Sequence, residues 1–133
     1  MVKVMIVENP LKPYISVRNL LSSINYDIVF ETSNGFEAIE KYNIVNPDLL
    51  LLDLVLSKSN GKNVLKEIKK RHPESKIIVI TMQSDKKLLD DCYNSGAEEC
   101  FTIPYKLKDF VTFVTNLSDS SKATNKVAPV ILD

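Results

Sequence analysis

Short apolar runs alternate along this chain with longer segments in which apolar residues recur at helical spacing. Five runs, residues 2–7, 27–31, 49–53, 76–81 and 99–102, have strand length and are mostly rich in β-branched or large apolar side chains. Between and after them, Val17, Leu20, Leu21 and Ile24 form one helical stripe, Phe36, Ile39 and Tyr42 a second, and Val64, Leu65 and Ile68 a third. Segments 87–94 and 107–117 complete the set, with Leu88, Leu89 and Cys92, then Phe110, Val111, Phe113, Val114 and Leu117. The alternation predicts an α/β fold: a five-stranded parallel sheet, doubly wound, with five helices.

The turn residues agree with this division. Asn34-Gly35, Asn46-Pro47, Asn60-Gly61, His72-Pro73 and Ser95-Gly96 all fall at expected element ends, and Pro10 and Pro13 sit near the first helix start. From Ser118 the chain becomes polar and aperiodic, SDSSKATNK, before a final apolar VAPVILD. The expected organisation is one domain over residues 1–117 and a polar linker or C-terminal tail over 118–133, after which an output domain could follow.

Composition narrows the function classes. A chain of 133 residues can bury a core as one domain. Its 17 Lys plus Arg against 17 Asp plus Glu, without long blocks of either sign, favour a protein partner or small ligand over nucleic acid or an anionic membrane. Cys92 and Cys100 are too few for a disulfide framework and lack metal or redox spacing, so both read as reduced thiols. The apolar run before Glu8 is too short for a signal peptide, and Leu49 to Leu52 is far below the roughly 20 residues of a membrane span, which makes the cytoplasm the expected compartment.

Candidate chemistry lies where apolar strands end in polar residues, because open α/β sheets bind ligands at the carboxyl ends of their strands. Glu8 and Asn9 end the first strand, Asp53 ends LLLLD, Thr81 ends the fourth strand, and Ile103-Pro104-Tyr105 follow the fifth. Taken alone, Asp53 reads equally well as a cap for the turn at residues 57–61. His72, the only histidine, reads as a solvated helix terminus after KEIKKR.

The order and spacing of these pieces resemble the receiver domains of bacterial response regulators, in a layout similar to the single-domain chemotaxis receivers. The resemblance runs over an acidic site after MIV, Asn34-Gly35, NPDLLLLD, Gly61 eight residues after Asp53, RHPESKIIVIT and SGAEECFTIPY. It implies a flavodoxin-like sheet of strand order 2-1-3-4-5. It also implies two-component phosphorelay signalling, in which Asp53 accepts a phosphoryl group from a sensor histidine kinase or phosphotransfer protein. Mg²⁺ would then be held by Glu8, Asn9, Asp53 and the carbonyl of Val55, and the Thr81 hydroxyl would contact the phosphoryl group. The expected output is through a surface of helix four, strand five and helix five, to a downstream protein or an appended output domain, with no enzyme activity of its own.

Three positions depart from the family pattern. Two adjacent acids become Glu8-Asn9, which removes one formal charge from the metal site and weakens Mg²⁺ binding. The lysine before proline becomes Ile103, a loss that weakens phosphorylation or its readout by roughly ten- to a hundredfold, and neither Lys58 nor Lys106 is expected to reach in instead. The aromatic switch position becomes Cys100, read as a small core or interface residue, with Phe101 facing the other side of the sheet. These departures leave open a second function, a pseudo-receiver that binds proteins without phosphorylation. An aspartyl phosphatase is disfavoured by Val55 where a second acid would stand, and a nucleotide or flavin module by the absence of a glycine-rich cradle in ENPLKP.

Overall fold

The computed structural model describes residues 1–9, 17–56 and 59–122. Five parallel strands lie in the order β2-β1-β3-β4-β5, with β1 Lys3–Val7, β2 Asp27–Thr32, β3 Leu49–Asp53, β4 Ile77–Thr81 and β5 Glu99–Thr102. The helices are α1 Val17–Ser23, α2 Gly35–Val45, α3 Gly61–Arg71, α4 Lys86–Asn94 and α5 Leu107–Lys122. The strand order is the flavodoxin-like 2-1-3-4-5.

Burial explains which runs became central. Every residue of β3 and β4 is buried, whereas edge strands β2 and β5 are mostly half-buried. Burying a Leu or Ile side chain contributes about 1.5–3 kcal/mol, so LLLL and IIVI select the two-sided interior. Met5, Val7, Leu50, Leu52, Ile77 and Val79 share one face with Ala38 and Tyr42 of α2, Val64, Leu65 and Ile68 of α3, and Cys92 of α4. Val17 of α1 lies with Ile6, Leu51 and Ile80, the alternate set of strand positions.

Polar caps set the helix starts. Asn34 accepts from the N–H groups of Phe36 and Glu37, Asn60 from Lys62 at 2.8 Å, and Asp85 from Leu88 at 3.1 Å. Asn46 ends α2 in the left-handed region at φ 50°.

Three expectations need correction. The α2 stripe is shifted: Phe36 is exposed, and Ala38, one turn before Tyr42 on the buried face, fills the core position. His72 is not a freely solvated terminus, since its ring lies 4.7 Å from that of Tyr42. Ile24 falls beyond α1. The first-helix prolines, Pro10 and Pro13, and the tail from residue 123 lie outside the described residues. Within the C-terminal unit, α5 continues through Lys122, with Phe110 and Val114 buried and Tyr105 stacked on Phe110 at 5.4 Å.

Candidate functional site

Parallel pairing in register brings the carboxyl ends of the strands to one edge. Val7 pairs with Leu52, Asp53 with Ile80 and Thr81 with Thr102, so Glu8, Asp53 and Thr81 each stand at or one step beyond the tip of neighbouring strands. Asp53 is 3 % exposed and Thr81 1 %. The Asp53 carboxylate accepts from the Val55 N–H at 3.0 Å and faces the Asn9 N–H at 3.5 Å. Backbone donors from two different loops thus hold one carboxylate, and Asn60 caps α3 through the Lys62 N–H.

The loop after Asp53 is closed tightly. The Gly61 N–H donates to the Leu54 carbonyl at 2.9 Å, and Val55 bridges to Asn60. A β-carbon at Gly61 would collide with the Asp53 carbonyl oxygen and stand 2.5 Å from the Leu54 Cα, so glycine is required by the close approach of α3 to the end of β3.

Glu8 is tied to the sheet through its N–H, which donates to the Thr32 carbonyl at 3.1 Å. Burial, followed by the nearby Glu31 and Asp53 carboxylates, raises its carboxyl above the ordinary range, while Arg18 opposes the rise. Arg18 is paired with Glu31. Sequence reading missed this pair, because an arginine on an exposed helix face and a glutamate on an edge strand look like ordinary surface residues. Among the described residues, no group of three or more His, Cys, Asp or Glu side chains could hold a metal ion. The pocket contributes two carboxylates, one fewer than a site with adjacent acids would.

At the other side, the Thr81 hydroxyl accepts from the Gln83 N–H at 3.1 Å, and the Thr81 carbonyl accepts from the Ile103 N–H at 2.8 Å. Ile103, half-buried, is therefore fastened beside β4 without supplying a cation. Lys58 lies outside the described residues. Cys100 pairs in register with Val79 and packs on the core cluster, whereas Phe101 pairs with Ile80 and is buried. The Cys100 and Cys92 thiols are free, and burial pushes Cys92 up and Cys100 up to about 12.

Residues 4–115 match the response regulator receiver domain family. The chemotaxis protein CheY of Thermotoga maritima is 27% identical over 116 residues, spanning 87% of this chain and 97% of that protein. CheY of Halobacterium salinarum is 31% identical over 93 residues, 68% of this chain and 78% of its own. Among solved structures, the receiver domain of a putative LuxO repressor protein from Vibrio parahaemolyticus superposes with a TM-score of 0.82 at 25% identity, covering 93% of this chain and 95% of that one. The CheX–CheY–BeF3–Mg²⁺ complex from Borrelia burgdorferi gives 0.79 at 23% identity, covering 87% and 88%.

Proposed function

Because the chain belongs to the response regulator receiver domain family, a module of two-component signalling, we propose that it works as a receiver whose phosphoacceptor is Asp53, in the cytoplasm. The observation that carries this reading is the Asp53 carboxylate at the β3 tip, gripped by the N–H groups of Val55 and Asn9 beside Thr81. A carboxylate oxygen of Asp53 attacks the phosphorus of a phosphohistidine on a sensor kinase or phosphotransfer protein. The O–P bond forms, the N–P bond breaks, and the imidazole nitrogen leaves to take up a proton.

Mg²⁺ fits the residues present. Glu8, Asn9, Asp53 and the Val55 carbonyl offer only oxygen donors, and a hard cation held by one or two carboxylates plus phosphate oxygens needs no third acid. Burial first, and then the neighbouring Glu31 and Asp53 carboxylates, raise the Glu8 carboxyl, and a cation bound beside it would favour its ionised form. When bound, Mg²⁺ would neutralise charge on the phosphoryl oxygens. The chain's own part is to hold Asp53 rigid through the Gly61 contact and to offer the Thr81 hydroxyl to a phosphoryl oxygen. With Ile103 in the lysine position, one charge-assisted contact is missing, so phosphorylation is weak rather than absent.

The same two departures, Asn9 and Ile103, favour a second reading in which the domain is a pseudo-receiver that engages its downstream protein without phosphorylation. Borohydride reduction after incubation with Mg²⁺ and acetyl phosphate separates the two. Conversion of Asp53 to homoserine, located by peptide mapping, supports the acceptor reading; an unmodified Asp53 in folded protein supports the other.

A further inference from the structure

The first turn of α2 carries a phenylalanine that the core does not use. Phe36 is 69 % exposed, and with Ile39 it lines a groove of about 930 Å³ between α2 and α3. Around these two apolar side chains the charge is one-sided. Glu37 and Glu40 come from α2 and Glu67 from α3, while Arg71, the cation that lines the groove, is ion-paired with Glu67 at 2.7 Å. Glu37 accepts the Thr32 hydroxyl at 2.5 Å, and Glu40 has no ion pair among the described residues. The lining therefore carries a net negative charge that nothing within it cancels.

An exposed aromatic anchor beside a half-buried aliphatic, in a furrow between two helices, has the form of a surface that receives another helix. The unmatched carboxylates define what that helix carries. We propose that the α2–α3 groove docks a lysine- or arginine-bearing amphipathic segment of a partner protein, its apolar face on Phe36 and Ile39 and its cations on Glu37 and Glu40. The groove also adjoins the loop that follows Asp53: the Gly35 N–H, at the start of α2, donates to the Ser59 hydroxyl at 2.9 Å. Docking nevertheless requires no phosphate, so the proposal stands or falls apart from the chemistry of Asp53.

The test is a nitrogen-15 amide shift titration of the full chain with a short helical peptide of leucine and lysine, and with its counterpart bearing glutamate for lysine. The lysine peptide shifts the amides of Phe36, Ile39, Asn63 and Glu67. Its affinity falls about tenfold or more with Phe36→Ser and with Glu40→Lys. Ile44→Ser, which removes a side chain that is 72 % exposed on the same helix but outside the groove, leaves affinity unchanged. The proposal is overturned if no shifts occur up to millimolar peptide, if they centre on another surface, if the glutamate peptide binds equally, or if Ile44→Ser weakens binding as much as Phe36→Ser.

Discussion

The Ile103 N–H donates to the Thr81 carbonyl at 2.8 Å, which fastens an aliphatic residue to the end of the strand whose hydroxyl is proposed to meet the phosphoryl group. This contact uses the backbone, so it survives substitution of the side chain. Ile103→Lys is expected to raise the rate of acyl-phosphate formation with a small phosphodonor by roughly ten- to a hundredfold, the worth of one hydrogen bond to a charged group. Initial labelling rates check it, and an unchanged rate in a folded variant would remove the argument from the missing lysine.

Glu8 gives a pH-dependent prediction. Its folded-state carboxyl is raised, by burial first and then by Glu31 and Asp53, so without metal the ionised form is destabilising above the ordinary value of 4.5. The folded state therefore takes up a proton more readily than the unfolded one, and stability lost as pH rises through that range is recovered as pH falls. Glu8→Gln is expected to melt higher than the wild type at neutral pH without Mg²⁺, with the gain fading as pH drops below 4.5. Added Mg²⁺ narrows the difference, because it stabilises only the protein that binds it. Thermal melts across pH with and without Mg²⁺ measure this; a neutral-pH Glu8→Gln that melts lower without metal contradicts it.

Gly61→Ala forces a methyl group against the Asp53 carbonyl and Leu54 Cα. The expected loss is about 1–3 kcal/mol in urea denaturation, together with slower labelling of Asp53. A change within about 0.5 kcal/mol would mean that the loop yields freely.

How much of this was legible beforehand depended on the physical signal. The strands were readable because two-sided burial writes continuous apolar runs, and LLLLD and IIVIT became β3 and β4. The Asn34 and Asn60 caps were readable because a side-chain oxygen followed by glycine is a local device. Phe36 was misplaced because apolar character does not say which face a helix turns inward, and Ala38, too small to stand out, decided it. The meeting of Glu8 with Asp53 followed from strand order. The Arg18–Glu31 pair beside Glu8 joins a helix to an edge strand and has no pattern along the chain.

The thiols give a prediction of a different kind. Burial raises Cys92, and burial followed by Cys92 itself lifts Cys100 to about 12, so little thiolate exists in the folded protein at mildly alkaline pH. Both should react slowly with an aromatic disulfide reagent at pH 8 and quickly once denatured. Fast reaction of either thiol in the folded protein would show that these side chains are more open than their packing on the core suggests.

Asp53 carries the account, and intact-mass spectrometry after incubation with Mg²⁺ and acetyl phosphate tests it most directly. The wild type should gain one phosphoryl group, Ile103→Lys should gain it faster, and Asp53→Asn should gain none. A gain that persists in Asp53→Asn, or no gain in the folded wild type and Ile103→Lys alike, with acetyl phosphate and with a phosphorylated histidine kinase, would contradict the assignment.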